Sequence, residues 1–186
     1  MPKVTFFNLS NEKRKKIVKV LTEEFEKKNI QEATVKEIVQ KLGIARGSFY
    51  QYFETLEESY FYILELKTAD LHKSFMNLLV KYGDIYDVLE EYGEKIVEII
   101  FDKSCYNLYK NRYLLWNEKI NRQWEEYKQK NMTNLIEVRN TDELLYISAL
   151  MHSLISRSYI EKWDKDKFLE KYKKYVRWIR EGVRDE

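Results

Sequence analysis

Arg46, Gly47, Ser48, Tyr50, Gln51 and Tyr52 fall within seven consecutive positions of a 186-residue chain. Each has chemistry that suits a nucleic acid. A guanidinium pairs with the O6 and N7 of guanine, and a glutamine amide pairs with adenine. Phenols are long enough to reach phosphates on either flank. A residue without a Cβ lets the backbone approach the base edges. At 100° per residue Phe49 and Phe53 share one helix face, with Ala45 and Tyr52 near it. The opposite face carries Gly47, Ser48, Tyr50 and Gln51, with Arg46 at the exposed N-terminal end. The same residues also fit a plain helical hairpin with an aromatic core.

Other chemistries find little support. Cys105 is the single cysteine, so no intrachain disulfide is possible, and it reads as an inert thiol rather than a redox sensor. With only His72 and His152, no Cys/His zinc set forms. There is no nucleophile with a matched histidine, no phosphate-cradling glycine loop and no helical Glu-x-x-His pair. The adjacent acids Glu57/Glu58 and Glu125/Glu126 point in different directions and read as solvated surface. The expectation is a protein that is not an enzyme and needs no cofactor or metal. No apolar run of about 18 residues suggests a membrane span. "MPKVTFFNLSNEKRKK" has no signal-peptide core, so a soluble cytoplasmic protein is expected.

Helices must position these groups. Hydrophobic residues make up 44% of the chain, and one proline and five glycines leave few breakers. Apolar residues recur at three- and four-residue spacing, which predicts an all-α fold. Ser10 caps a first helix with the stripe Ile17, Leu21 and Phe25, and Asn29 is expected to end it as a left-handed C-cap. Thr34 and Glu37 form a capping-box pattern ahead of Val35, Ile38, Val39 and Leu42. Gly43 then makes the tight turn into a helix over 46–53, followed by one over 57–82. Further helices follow the breaks at Gly83 and at 102–107, with one or two over 104–131. A helix over 141–162, capped by Asn140, is apolar nearly all round. Asp164 caps the last, whose stripe is Phe168, Tyr172, Tyr175/Val176, Ile179 and Val183. Residues 1–53 carry eleven Lys/Arg and six Glu, a net of +5; the remainder carries 22 basic and 25 acidic residues, a net of −3. That fits a basic end meeting a polyanion, or simply charged helix surfaces.

"TVKEIVQKLGIARGSFYQYFETLEE" resembles the DNA-binding domain of the TetR family of bacterial transcriptional regulators. The family's Thr, Ile, Gly-Val-Ser, Gly, Tyr, aromatic, Phe and Lys-Glu pattern falls on Thr34, Ile38, Gly43-Ile44-Ala45, Gly47, Tyr50, Tyr52, Phe53 and Leu56-Glu57. "FNLSNEKRKKIVKVLTEEF" is similar to the family's first helix. The resemblance implies an N-terminal three-helix helix-turn-helix domain, residues 1–56, followed by a larger helical ligand-binding and dimerisation domain, residues 57–186. It implies double-stranded DNA as partner, with Thr34, Lys36, Ala45, Arg46, Gly47, Ser48, Tyr50, Gln51 and Tyr52 at the contact. Two departures weaken backbone anchoring: Ala45 stands where Ser or Thr is usual, and Leu56 where Lys is usual. Lys3, Lys13, Arg14 and Lys36 are the candidates to compensate.

The resemblance also implies a homodimer through the last two helices and a repressor released from a palindromic operator by a small effector. The helix over 141–162 fits a dimer independently, because an element apolar on all sides must bury both faces; a core helix within one monomer is the alternative. Phe75, Tyr92, Phe101, Tyr109, Tyr113 and Trp116, with Trp124, could line a cavity for an apolar or aromatic ligand, or pack as ordinary core. A DNA-binding protein of the same fold without a small ligand is the competing function.

Overall fold

The computed structural model describes residues 1–131 and 142–182. Among these run ten helices and no strand: α1 (Val4–Phe7), α2 (Asn11–Lys27), α3 (Val35–Leu42), α4 (Arg46–Tyr52), α5 (Leu56–Tyr82), α6 (Ile85–Ile100), α7 (Tyr106–Leu114), α8 (Glu118–Asn131), α9 (Asp142–Ile160) and α10 (Lys165–Glu181). They group into two compact units, one of Met1–Lys67 with residues 115–131, the other of Thr68–Leu114 with residues 142–182. The chain of α5 runs from the first into the second.

In the first unit the caps act as their residue types dictate. The Ser10 hydroxyl accepts the Lys13 N–H, and the Thr34 hydroxyl accepts the Glu37 N–H at 3.3 Å. Ile17, Leu21 and Phe25 of α2 and Val35, Ile38, Val39 and Leu42 of α3 are all buried, as the stripes require. Asn29 departs from expectation. The C-cap is Lys28 in extended conformation, and the Asn29 Oδ1 accepts the N–H groups of Gln31 at 2.9 Å and Glu32 at 3.2 Å. A short polar side chain that satisfies the N–H two residues on makes a turn without left-handed backbone. At Gly43 φ is +68°, and the Ile44 N–H reaches the Val39 carbonyl at 3.1 Å, closing α3.

The one-turn helix α1 is too short for periodicity to announce. It packs on α4 through Phe6, which is fully buried with its ring 5.3 Å from Phe53 and 5.4 Å from Tyr62. Buried Glu24 pairs with Lys41 and lies 4.0 Å from Lys28, tying α2 to α3. The start of α5 meets α8, with Phe61 5.3 Å from Trp124 and 5.6 Å from Tyr127.

In the second unit α10 packs on α6 and α9, and α7 packs on α6 and α9. Asp84 and Asp164 cap α6 and α10 by accepting the N–H groups of Tyr86 and Lys167. Tyr159 and Tyr172 are buried, and their hydroxyls donate to the carbonyls of Ile100 at 2.9 Å and Leu89 at 2.6 Å. The Tyr172 ring leaves no room at Gly93: a Cβ there would lie 2.6 Å from Tyr172 Cε1. A glycine-to-alanine change in an open helix stabilises it by about 1 kcal/mol. Here the sign reverses, and Gly93→Ala is expected to cost roughly 1–3 kcal/mol through overpacking. A denaturant series reads that sign directly, and any gain in stability would refute the close approach.

Within α9, Ile147, Met151, Leu154, Ile155 and Tyr159 are buried, whereas Leu145, Tyr146 and Ile160 are more than half exposed. The expected cap Asn140 and the stripe residue Val183 lie outside the described residues. Among the described residues no helix is long and apolar enough to cross a membrane.

Candidate nucleic-acid interface

Seven residues make α4, and they divide by face. Phe49 is buried, with its ring 5.4 Å from Phe53. Arg46, Gly47, Tyr50 and Gln51 are exposed, while Ser48 and Tyr52 are half-buried. Ala45 is exposed rather than near the buried face, because it precedes the helix in extended conformation and no longer follows the helical wheel. As N-cap it makes no side-chain hydrogen bond, so the first N–H groups of α4 have no cap from that residue. The Arg46 guanidinium lies over the Tyr50 ring, 5.9 Å from its centroid, and Nη2 donates to the Tyr50 hydroxyl at 3.4 Å. Beyond its chain neighbours and the backbone of its own helix, nothing lies within 4 Å of where a Gly47 Cβ would stand.

Around the N-terminus of α3, Thr34 and Lys36 are exposed. The Thr34 hydroxyl donates to Glu37 Oε2 at 2.9 Å, and Lys28 Nζ donates to Glu37 Oε1 at 2.6 Å. The Lys28 ammonium first, and the Thr34 hydroxyl after it, hold the Glu37 carboxyl below its usual value. A phosphate arriving at this helix end would therefore meet a carboxylate already neutralised by a lysine.

Much of the basic charge is engaged inside the protein. Lys16 donates to the Leu42 carbonyl at 3.2 Å, where a cation suits the negative end of α3. Lys3 donates to the Tyr50 carbonyl at 2.8 Å, and Arg14 donates to the Phe7 carbonyl at 3.3 Å and to Asn11 Oδ1. Two of the four candidates for added phosphate anchoring, Lys3 and Arg14, thus have partners within the chain. Lys13 and Lys36 are exposed.

The six candidate ligand aromatics separate into distinct ring clusters. Phe75 stands 5.1 Å from Tyr92, whose hydroxyl donates to the Leu71 carbonyl at 3.1 Å. Phe101 packs on Phe168, Tyr113 packs on His152 and Tyr159, and Tyr109 is buried. Burial pushes the phenols of Tyr92 and Tyr109 above their ordinary values. Trp116 belongs to the other unit, against Phe61 and Trp124. Spacing along a chain identifies apolar faces but not which face meets which. A cleft of about 210 Å³ in the first unit is lined by Glu54, Glu57, Glu58, Phe61, Glu126 and Tyr127 among others. A second, of about 410 Å³, lies between Glu90 on α6 and Tyr172, Val176, Arg177 and Arg180 on α10. None of the six aromatics lines either.

Sequence reasoning missed α1. Its signal was the pair Phe6-Phe7 ahead of the Ser10 cap, apolar residues that needed a partner the local pattern did not supply.

A helix-turn-helix whose second helix buries one aromatic face and exposes Arg46, Gly47 and Gln51, joined to a second helical unit, defines a DNA-binding transcriptional regulator. The chain belongs to the TetR family. Residues 17–58 match the family model described as bacterial regulatory proteins, tetR family, and residues 85–182 match that described as tetracyclin repressor, C-terminal domain. No curated protein matches the chain. Among solved structures, a TetR family transcriptional regulator from Chloroflexus aurantiacus J-10-fl is similar over 100% of both chains, at 19% identity and a TM-score of 0.54.

Proposed function

We propose that this regulator is a homodimeric repressor in the cytoplasm, released from a palindromic operator by a small apolar or aromatic effector. Residues 1–56 read DNA, and residues 57–186 dimerise and bind the effector. The open space around Gly47 carries the DNA assignment. No neighbouring side chain requires a glycine there, and the open surface leaves room for a duplex to approach closely. Arg46 and Gln51 stand beside it to read base edges, with Ser48, Tyr50, Tyr52, Thr34, Ala45 and Lys36 toward the sugar-phosphate backbone.

The exposed apolar residues Leu145 and Tyr146 near one end of α9 and Ile160 at the other support a dimer, since a second copy that covered them would remove them from water. In such a dimer two copies of α4 enter successive major grooves about 34–36 Å apart. Because α5 is one helix common to both units, an effector that moves its second half moves the helices packed on its first. Effector and operator affinities are then reciprocally linked.

A DNA-binding protein without a small effector is the second reading. It is favoured by the way Phe75, Tyr92, Phe101 and Tyr113 fill space against neighbouring rings.

Selection of bound fragments from random duplex DNA tests the DNA reading. An enriched inverted repeat is expected; folded protein that enriches no sequence at moderate salt would end it. Titrating diverse hydrophobic compounds against the protein–operator complex then separates the two readings. Release by one supports the repressor, and silence from all supports the effector-free form.

A further inference from the structure

The helix that faces DNA is poorly supported by its own residues. At seven residues α4 is far below the length of about 12–15 at which an isolated helix becomes marginal. Ala45 gives it no side-chain cap. Its C-terminal end has the opposite problem, carbonyls without donors. Phe49 finds one in the N–H of Phe53 at 2.9 Å. The next three carbonyls are met from α1 and the residue before it. Lys3 Nζ donates to the Tyr50 carbonyl at 2.8 Å, the Thr5 hydroxyl donates to the Gln51 carbonyl, and the Lys3 backbone N–H donates to the Tyr52 carbonyl at 2.8 Å. Two residues thus satisfy three consecutive carbonyls from more than forty positions away. The Lys3 ammonium also places a positive charge at the negative end of the α4 dipole. Phe6, fully buried on Phe53 and Tyr62, anchors the donors.

We propose that Lys3 and Thr5 are positioning residues for DNA reading: they lock the C-terminal end of α4 and so set the angle at which Arg46 and Gln51 meet the bases. This rests on the assignment of α4 as the reading helix. Both side chains are solvent-exposed, so their loss leaves the core intact. Their weight falls on orientation, because a reading helix free to tilt loses base contacts while a charged surface still holds the backbone.

The test compares full-length wild type with Lys3→Ala/Thr5→Ala and with Thr5→Ser, which keeps the hydroxyl. Three quantities are read: affinity for the operator selected by the wild type, affinity for unrelated duplex over a salt series, and hydrogen exchange of the amides of residues 46–53. The double variant is expected to lose roughly ten- to thirtyfold in operator affinity, in line with two lost hydrogen bonds, one of them charged. Unrelated duplex should bind within about twofold of wild type, with faster exchange confined to α4. Thr5→Ser should behave as wild type. Equal operator affinity in the double variant would overturn the positioning role, as would unchanged exchange in α4. A salt dependence shallower by about 0.9 per lost phosphate contact would overturn it differently, by making Lys3 a direct phosphate ligand. If the wild type itself selects no operator, the reading-helix assignment falls and takes this role with it. That result is distinct from a variant that matches a specific wild type.

Discussion

Arg46→Ala is expected to abolish or relax sequence selection while leaving the protein folded. One bidentate arginine–guanine pair contributes about 1–3 kcal/mol of discrimination. A symmetric dimer makes the contact twice, so the operator loses about 2–6 kcal/mol, roughly thirtyfold or more in affinity. Folding is spared because Arg46 is exposed and its neighbours are the Tyr50 ring and hydroxyl, at 5.9 Å and 3.4 Å. An exposed contact of that kind is worth well under 1 kcal/mol to stability. The measurement is repeat selection from random duplex together with quantitative binding to the wild-type operator and to unrelated duplex at one salt concentration. A uniform, small loss across all sequences would make Arg46 a phosphate contact instead. An unchanged operator would remove α4 from base reading altogether.

Phe49→Ala is expected to have the opposite profile. Phe49 is 1% exposed, with rings of Phe53 and Tyr50 at 5.4 and 5.5 Å. Removing a buried phenyl ring costs about 3–5 kcal/mol, the transfer term plus the cavity left behind. Domains are stable by only about 5–15 kcal/mol, so roughly a fifth or more of the total disappears. The loss shows as a lower denaturant midpoint, and DNA binding of every sequence falls together because α4 no longer holds its place. Tyr50→Ala, one residue on and exposed, should move the midpoint little. A Phe49→Ala unfolding free energy within about 1 kcal/mol of wild type would mean that α4 does not rest on this core.

The two substitutions explain what could be read in advance and what could not. Ser10, Thr34, Gly43 and Asp164 announced their helix ends because each cap closes with groups no more than about four residues away. The alternation of Phe49 and Phe53 with Arg46, Gly47 and Gln51 is equally local, so the division of this helix into a buried and an exposed face was legible too. Asn29 failed because an amide side chain has two ways to end a helix and only the surrounding backbone chooses between them. The donors from Lys3 and Thr5 act across 46 to 49 positions, and no period or cap records such a pairing. The partners of Trp116 are hidden from sequence for the same reason: its ring is apolar wherever it packs, and only the fold sends it to Phe61. The exposed apolar residues on α9 were anticipated from a helix apolar nearly all round, although the side left open emerged only with packing.

The vacant space beside Gly47 has a last implication, for how such a protein changes its address. If α4 is the reading helix proposed above, folding and recognition are written on the same seven residues, but on different letters. Phe49 belongs to the fold, while position 47 answers to nothing within 4 Å inside the molecule. In a helix, alanine is favoured over glycine by about 1 kcal/mol, so drift away from Gly47 would be rewarded by stability and opposed by the operator alone. Each side chain that appears there excludes some duplexes and admits others without disturbing the core. A duplicated copy could therefore acquire a new target through the surface of α4 while inheriting its architecture unchanged.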